Sequence, residues 1–157
     1  MQVYLVQHGE AMSKGDDPHR PLTEQGRRDV AHVAVALKRH ELPLSAIWHS
    51  GKLRARQTAA AFAEALEPGE AVQEKSGLSP KDDPEPLAEV LGELEAPVMV
   101  VGHLPHLSRL ASLMIVGDPD REIVRFRQGA VLCLAQTAEG WRVGWYLTPE
   151  LARVVTA

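Results

Sequence analysis

Three side chains in this chain of 157 residues have the types that phosphoryl chemistry needs: His8, His103 and Arg54. A neutral imidazole nitrogen can attack phosphorus as a nucleophile, and a guanidinium group offers a planar fork of donors that matches phosphate oxygens. A cation beside an imidazole also lowers the pKa of the imidazole, which keeps it neutral and nucleophilic near pH 7. The three residue types together predict a site that binds a phosphoryl group and can accept it.

The positions of the histidines predict that one edge of a sheet brings these groups together. Each of three histidines follows a short apolar run of the kind found in strands that are buried on both faces. The runs are Val3–Val6 before His8, Ala46–Trp48 before His49, and Val98–Val101 before His103. The carboxyl ends of parallel strands meet at one edge of an open α/β sheet, where ligands bind. We therefore expect the three histidines to face one crevice.

Helical patterns alternate with these strands. Apolar spacing, capping residues and prolines predict helices over 24–39, 53–66 and 85–94, and a fourth that opens at Leu104-Pro105, with Thr23 and Ser50 as N-caps of the first two. A short strand is expected at 71–74, and two strands at 129–136 and 141–147 are joined by a turn at Glu139-Gly140. This order predicts a single domain over 1–157, a three-layer α/β/α sandwich with a mostly parallel central sheet.

Composition excludes several classes of protein. A formal net charge of −4 argues against non-specific binding to nucleic acid or to an anionic membrane surface. No apolar run approaches the roughly 20 residues of a membrane-spanning helix, and the N-terminus lacks the basic region of a signal peptide. The one cysteine, Cys133, lies in an apolar run and is expected to pack as a small hydrophobe. We expect a cytoplasmic protein.

Five motifs along the chain carry a resemblance to a known family. They are Gln7-His8-Gly9-Glu10, Arg20-Pro21-Leu22-Thr23, the run from Ser50 to Thr58, Gly102-His103-Leu104-Pro105 and the closing Trp145-Tyr146-Leu147-Thr148-Pro149. Any one of them alone is a weak signal, but together they are specific and extend over nearly the whole length. The chain resembles the histidine phosphatase superfamily, whose fold is phosphoglycerate mutase-like, and within it the small SixA-type phosphohistidine phosphatases.

The resemblance implies a role for each residue of the predicted site. His8 would be the nucleophile that is transiently phosphorylated, and Arg54 and His103 would hold the phosphoryl group, with Gln7 and Ser50 as further phosphate contacts. No metal and no cofactor would take part. The implied substrates are a phosphorylated protein, such as a histidine phosphotransfer domain, or a small phosphorylated molecule.

Gln7 departs from the family pattern, in which arginine usually precedes the nucleophile. A charge-assisted hydrogen bond is worth about 1.5–3 kcal/mol, so a neutral amide here is expected to weaken phosphate stabilisation by roughly ten- to a hundredfold. The same loss is expected to move the onset of activity to higher pH, because one cation that depresses the pKa of His8 is missing. Lys14 or Lys52 would then assist a weakened but active site.

The leaving group bears on the substrate class. Hydrolysis of a sugar phosphate expels an alkoxide and requires a general acid, whereas a protonated imidazole leaves phosphohistidine readily. The loop at 76–84 offers Asp82 and Asp83 as possible general acids but no clear glutamate, which favours phosphohistidine.

Three alternatives stand beside this reading. Gln7 is also consistent with a non-catalytic phosphate- or phosphoprotein-binding module, and a small-molecule phosphomonoesterase remains open. A metal-dependent hydrolase is disfavoured, because the chain has no familiar metal-ligand spacing and Arg54 would repel a cation.

His49 is expected to have a secondary role, and His106 to be either a contact at the edge of the site or a surface group. His19, His32 and His40 are expected at the surface.

Overall fold

A six-stranded sheet forms the centre of the molecule, whose computed structural model describes residues 1–156. The strands are β1 (Gln2–Gln7), β2 (Ala46–His49), β3 (Gln73–Glu74), β4 (Val98–Gly102), β5 (Val131–Thr137) and β6 (Gly140–Leu147). The helices are α1 (Glu24–Arg39), α2 (Leu53–Leu66), α3 (Glu85–Glu93), α4 (His106–Val116) and α5 (Pro149–Thr156).

The strand order is β3-β2-β4-β1-β5-β6. The pairs β2·β3, β2·β4 and β1·β4 are parallel, whereas β1·β5 and β5·β6 are antiparallel. Strands β1, β2 and β4 are apolar along most of their length because both faces of the sheet are covered. One core lies under α1, α2 and α5, and a second lies under α3 and α4. The predicted α/β/α sandwich with a mostly parallel sheet is confirmed.

Helix α1 follows the sequence signals closely. The Thr23 side chain accepts a hydrogen bond from the Gly26 amide, as the predicted N-cap requires. Gly26 lies directly against the loop that follows β1, since a Cβ at this position would stand 2.1 Å from the Glu10 carbonyl oxygen. A side chain at Gly26 would therefore push the helix away from the loop that carries His8.

Several boundaries differ from the prediction. Ser50 does not cap α2, because Gly51 adopts a left-handed φ of 91° and the helix begins only after Lys52, which is its N-cap. Pro105 likewise precedes α4 as its N-cap and is not in the first turn. The β5–β6 turn consists of Ala138 and Glu139, while Gly140 already belongs to β6.

Helix α5 was not predicted from the sequence. It is short and packs on α1, with Ala152 fully buried in the core shared with that helix, and Arg153 forms an ion pair with Asp29 at 2.7 Å. Within residues 1–156, no helix is both long enough and apolar enough to span a membrane.

Candidate active site

His8 lies one residue beyond β1, at the carboxyl end of the strand, and is buried. Its Nδ1 is 2.7 Å from the carbonyl oxygen of Gly9. A carbonyl oxygen can only accept, so Nδ1 carries the proton and Nε2 has a free lone pair. Arg54 confirms this arrangement from the other side, because its Nε donates to His8 Nε2 at 3.3 Å.

Burial lowers the pKa of His8 to about 4, and the guanidinium groups of Arg54 and Arg20 contribute in the same direction. Burial disfavours the charged imidazolium, and nearby cations repel it. His8 is therefore neutral throughout the physiological pH range. Burial is the larger cause, so the expected shift of the onset of activity to higher pH, attributed to the missing arginine at position 7, does not follow from this structure.

Two guanidinium groups face this nucleophile. Arg54 lies in the first turn of α2 and is half-buried. Arg20 belongs to the loop between β1 and α1, and its charge lowers the pKa of both His8 and Arg54, in each case after the larger effect of burial. Arg20 belongs to one of the five sequence motifs, but the sequence alone predicted no role for it.

The backbone of Arg20 explains why it was missed. Its φ is 49°, which is uncommon for a residue with a side chain, and its Nε donates to the Met12 carbonyl oxygen at 3.0 Å. The Met12 amide donates to the Pro21 carbonyl oxygen at 2.8 Å, which closes the loop on itself. This fold of a long polar loop has no periodic signal in the sequence.

His103 follows β4 and lies beside His8, with 5.1 Å between the two ring centroids. Its Nε2 is 2.6 Å from the hydroxyl oxygen of Ser50. Burial lowers the pKa of His103 to about 3, and the neighbouring His8 and Arg54 lower it further. His103 is therefore also neutral, and it presents Nε2 at the same edge of the sheet as His8.

His8 and His103 are thus brought together, as their strand-end positions indicated, and the predicted site residues Arg54 and Ser50 lie beside them. Gln7 is the last residue of β1 and pairs with Gly102 in the sheet register. Its Oε1 is buried without a hydrogen-bond partner among the described residues.

The predicted general acids have other contacts. Asp82 accepts a hydrogen bond from the Ser79 amide at 2.9 Å, and Asp83 accepts one from the Glu85 amide at 3.0 Å. Their charges act on His106, whose pKa burial lowers and these carboxylates raise. Neither aspartate contributes to the pKa of His8 or of His103. Asp82 and Asp83 therefore order the loop before α3, and a role as general acid stays a prediction.

The remaining histidines take different places. His106 is fully buried at the start of α4, so it is not a surface group. His49 is buried and accepts a hydrogen bond from the Gly51 amide at 3.0 Å, which stabilises the turn before α2. His19 and His40 are exposed as expected, whereas His32 is half-buried.

No group of three or more potential metal ligands occurs within the described part of the chain.

A comparison with protein families identifies the first half of the chain. The model of the histidine phosphatase superfamily (branch 1) matches residues 3–79, which include His8, Arg20 and Arg54. An uncharacterised protein of Picosynechococcus sp. is 33% identical over 154 residues, covering 87% of this chain and 91% of the relative. Phosphohistidine phosphatase SixA of Escherichia coli K12 is 28% identical over 123 residues, covering 75% and 76% of the two chains.

Solved structures extend the similarity to the whole fold. The protein histidine phosphatase SixA in complex with tungstate superposes with a TM-score of 0.83 at 25% identity, covering 95% of this chain and 97% of the other. The superposed part of the chain includes the strands and helices that follow residue 79, where His103 comes directly after β4.

Proposed function

Because the chain belongs to the histidine phosphatase superfamily, with SixA-type relatives, we propose that it is a metal-independent phosphatase that removes the phosphoryl group from phosphohistidine in a protein through an intermediate on His8. The observation that carries this proposal is the state of His8. It is neutral, its Nδ1–H is held by the Gly9 carbonyl, and its Nε2 lone pair faces the guanidinium group of Arg54.

The proposed reaction has two steps. In the first, the Nε2 lone pair of His8 forms a bond to phosphorus while the bond to the leaving group breaks, and the leaving group departs with that electron pair and takes up a proton from solvent water. In the second, water attacks phosphorus, the bond to Nε2 breaks, and inorganic phosphate is released. The Nδ1–H bond to Gly9 persists throughout and stabilises the positive charge that Nε2 phosphorylation puts on the ring.

Arg54, Arg20 and His103 bind the phosphoryl oxygens in this proposal. The Arg54 Nε–H group, which occupies the His8 lone pair in the free protein, turns to a phosphoryl oxygen when substrate enters. Nε2 of His103, which is hydrogen-bonded to the Ser50 hydroxyl in the free protein, likewise turns to a phosphoryl oxygen as a donor, and the two guanidinium groups neutralise the charge of the phosphoryl group. These cations would repel a catalytic metal ion, which is why we propose chemistry without one.

The substrate is tested by measuring phosphate release from a phosphohistidine-containing phosphotransfer domain and from p-nitrophenyl phosphate in parallel, with EDTA present. We expect faster release from the phosphohistidine protein. Faster release from the small ester would instead favour a small-molecule phosphomonoesterase, and release from both that EDTA abolishes would contradict the metal-independent mechanism. Phosphate binding without any release would favour the binding-module alternative, which Gln7 specifically suggests.

The pKa of His8 predicts the pH profile. A protonated Nε2 cannot attack, so kcat/KM should fall only below about pH 5, where His8 with its pKa near 4 begins to gain a proton. The lowered pKa means that the active neutral form is present above that range, so the profile should stay flat from about pH 6 to pH 8 on a substrate that does not titrate there. An acid limb near the ordinary histidine pKa of about 6.5 would show that burial does not act on His8 as described.

Gln7→Arg should raise kcat/KM by roughly ten- to a hundredfold, since it adds a charge-assisted hydrogen bond to the phosphoryl group. Gln7 is only partly buried, and its partner in β4, Gly102, has no side chain beside it. Steady-state kinetics on p-nitrophenyl phosphate would measure the gain, with Gln7→Lys as a control that adds charge without the planar fork. Unchanged kinetics in Gln7→Arg would show that Gln7 does not limit turnover.

A further inference from the structure

Thr58 lies beneath the candidate site and makes two hydrogen bonds that join its halves. The residue is fully buried in α2, one turn after Arg54. Its Oγ1 accepts a hydrogen bond from the Gly9 amide at 3.0 Å and donates to the Arg54 carbonyl oxygen at 2.8 Å. A hydroxyl group has one proton to donate and lone pairs to accept, so both bonds form at once.

These bonds complete a closed circuit around the nucleophile. Thr58 holds Gly9, the Gly9 carbonyl accepts from Nδ1 of His8, Nε2 of His8 accepts from Arg54, and the backbone of Arg54 returns to Thr58. The circuit therefore sets both the direction of the His8 ring and its distance from the guanidinium group.

We propose that Thr58 is a positioning residue that keeps His8 in the Nδ1–H tautomer, with Nε2 unprotonated and aligned on Arg54. This inference rests on the proposed function, in which Nε2 is the attacking atom. Free imidazole side chains favour the opposite tautomer, with the proton on Nε2, and that form has no lone pair at the attacking atom. Without Thr58, Gly9 is free to shift, its carbonyl no longer selects Nδ1–H, and the fraction of reactive His8 falls.

Two substitutions at Thr58 separate the hydroxyl group from the shape of the side chain. Thr58→Val keeps the branched shape and removes both hydrogen bonds, whereas Thr58→Ser keeps the hydroxyl. Ser112→Ala is the matched control, because Ser112 is also fully buried in a helix but its hydroxyl has no partner among the described residues. Circular dichroism and thermal melting of each variant establish that it is folded.

The first readout is the tautomer of His8 in the resting protein, measured by ¹⁵N NMR of the ring nitrogens near pH 7 and assigned with His8→Ala. We expect Nδ1–H in the wild-type protein, in Thr58→Ser and in Ser112→Ala, and a mixture with Nε2–H in Thr58→Val. The second readout is kcat on p-nitrophenyl phosphate, which should fall by about ten- to a hundredfold in Thr58→Val and recover in Thr58→Ser, with little change in KM.

Nε2–H in the wild-type protein would overturn the proposal, as would a Thr58→Val protein that keeps both the Nδ1–H tautomer and the wild-type kcat. If Thr58→Val does not fold, the wild-type tautomer and the exchange rate of the Gly9 amide decide, since the proposal requires Nδ1–H and a protected amide. The tautomer measurement needs no turnover. A protein that releases no phosphate but shows the expected tautomers would contradict the proposed phosphatase function and leave the role of Thr58 standing.

Discussion

His8→Ala should lower phosphate release from a phosphohistidine protein by about 10⁴-fold or more, to a rate close to that of the uncatalysed reaction. The reason is that the variant lacks the nitrogen atom that takes the phosphoryl group, and neither Arg54 nor Arg20 can replace it, because guanidinium groups have no free lone pair. Stopped or continuous phosphate assays at pH 7 would measure the loss.

His19→Ala is the matched control for this change. His19 is exposed on the loop that also carries Arg20, and no hydrogen bond of its ring is present among the described contacts. Its removal should alter the rate by less than about twofold. A His8→Ala protein that retains more than a tenth of the wild-type rate would show that another group is the nucleophile or that water attacks directly.

Arg54→Ala should lower kcat/KM by roughly 10²- to 10⁴-fold, since in the proposed complex its guanidinium group makes two charge-assisted hydrogen bonds to phosphoryl oxygens, each worth about 1.5–3 kcal/mol. The loss also removes the donor that aligns Nε2 of His8. Arg54→Lys keeps the charge but not the planar fork, so it should recover only a small part of the activity.

Arg56 provides the control for Arg54. It lies two residues further along α2 and is exposed. Arg56→Ala should therefore leave kcat/KM within about twofold of the wild-type value. Equal losses in Arg54→Ala and Arg56→Ala would indicate a general electrostatic effect of the helix and would argue against a specific clamp at Arg54.

The sheet and its edge were predictable because burial leaves a clear mark on the sequence. β1, β2 and β4 are apolar along most of their length, and each ends at or next to a histidine or one residue before it. Parallel pairing then places His8 and His103 side by side whatever the details of the loops. Arg54 was predictable for a similar reason, because the helix that carries it starts directly after β2.

The loops and the last helix were less predictable. Arg20 itself adopts the left-handed backbone conformation that places it at the site. That conformation goes with a bond from its side chain to Met12 and a bond between Met12 and Pro21, which no local sequence pattern reveals. Serine is a residue type that favours N-cap positions, but the left-handed turn at Gly51 separates Ser50 from the start of α2, and its hydroxyl contacts His103 instead. Helix α5 is only eight residues long and depends on packing against α1 more than on its own propensity.

Thr58 illustrates a different limit of sequence reasoning. A threonine in the middle of a helix is unremarkable, and its hydroxyl often bonds to the carbonyl group one turn earlier, as it does here with Arg54. The second bond, to Gly9, joins residues that are 49 positions apart in the chain. Only the packing of α2 against the end of β1 brings them together.

The most direct test of the central claim is to trap the phosphorylated protein. The wild-type chain and His8→Ala are mixed with a radiolabelled phosphohistidine protein, quenched within milliseconds in alkali, and digested for mass spectrometry. We expect an acid-labile, alkali-stable label on the peptide that contains His8, attached at Nε2, and no label on the variant. Rapid release of phosphate by the wild-type chain with no label on His8 at any time would contradict a phosphohistidine intermediate.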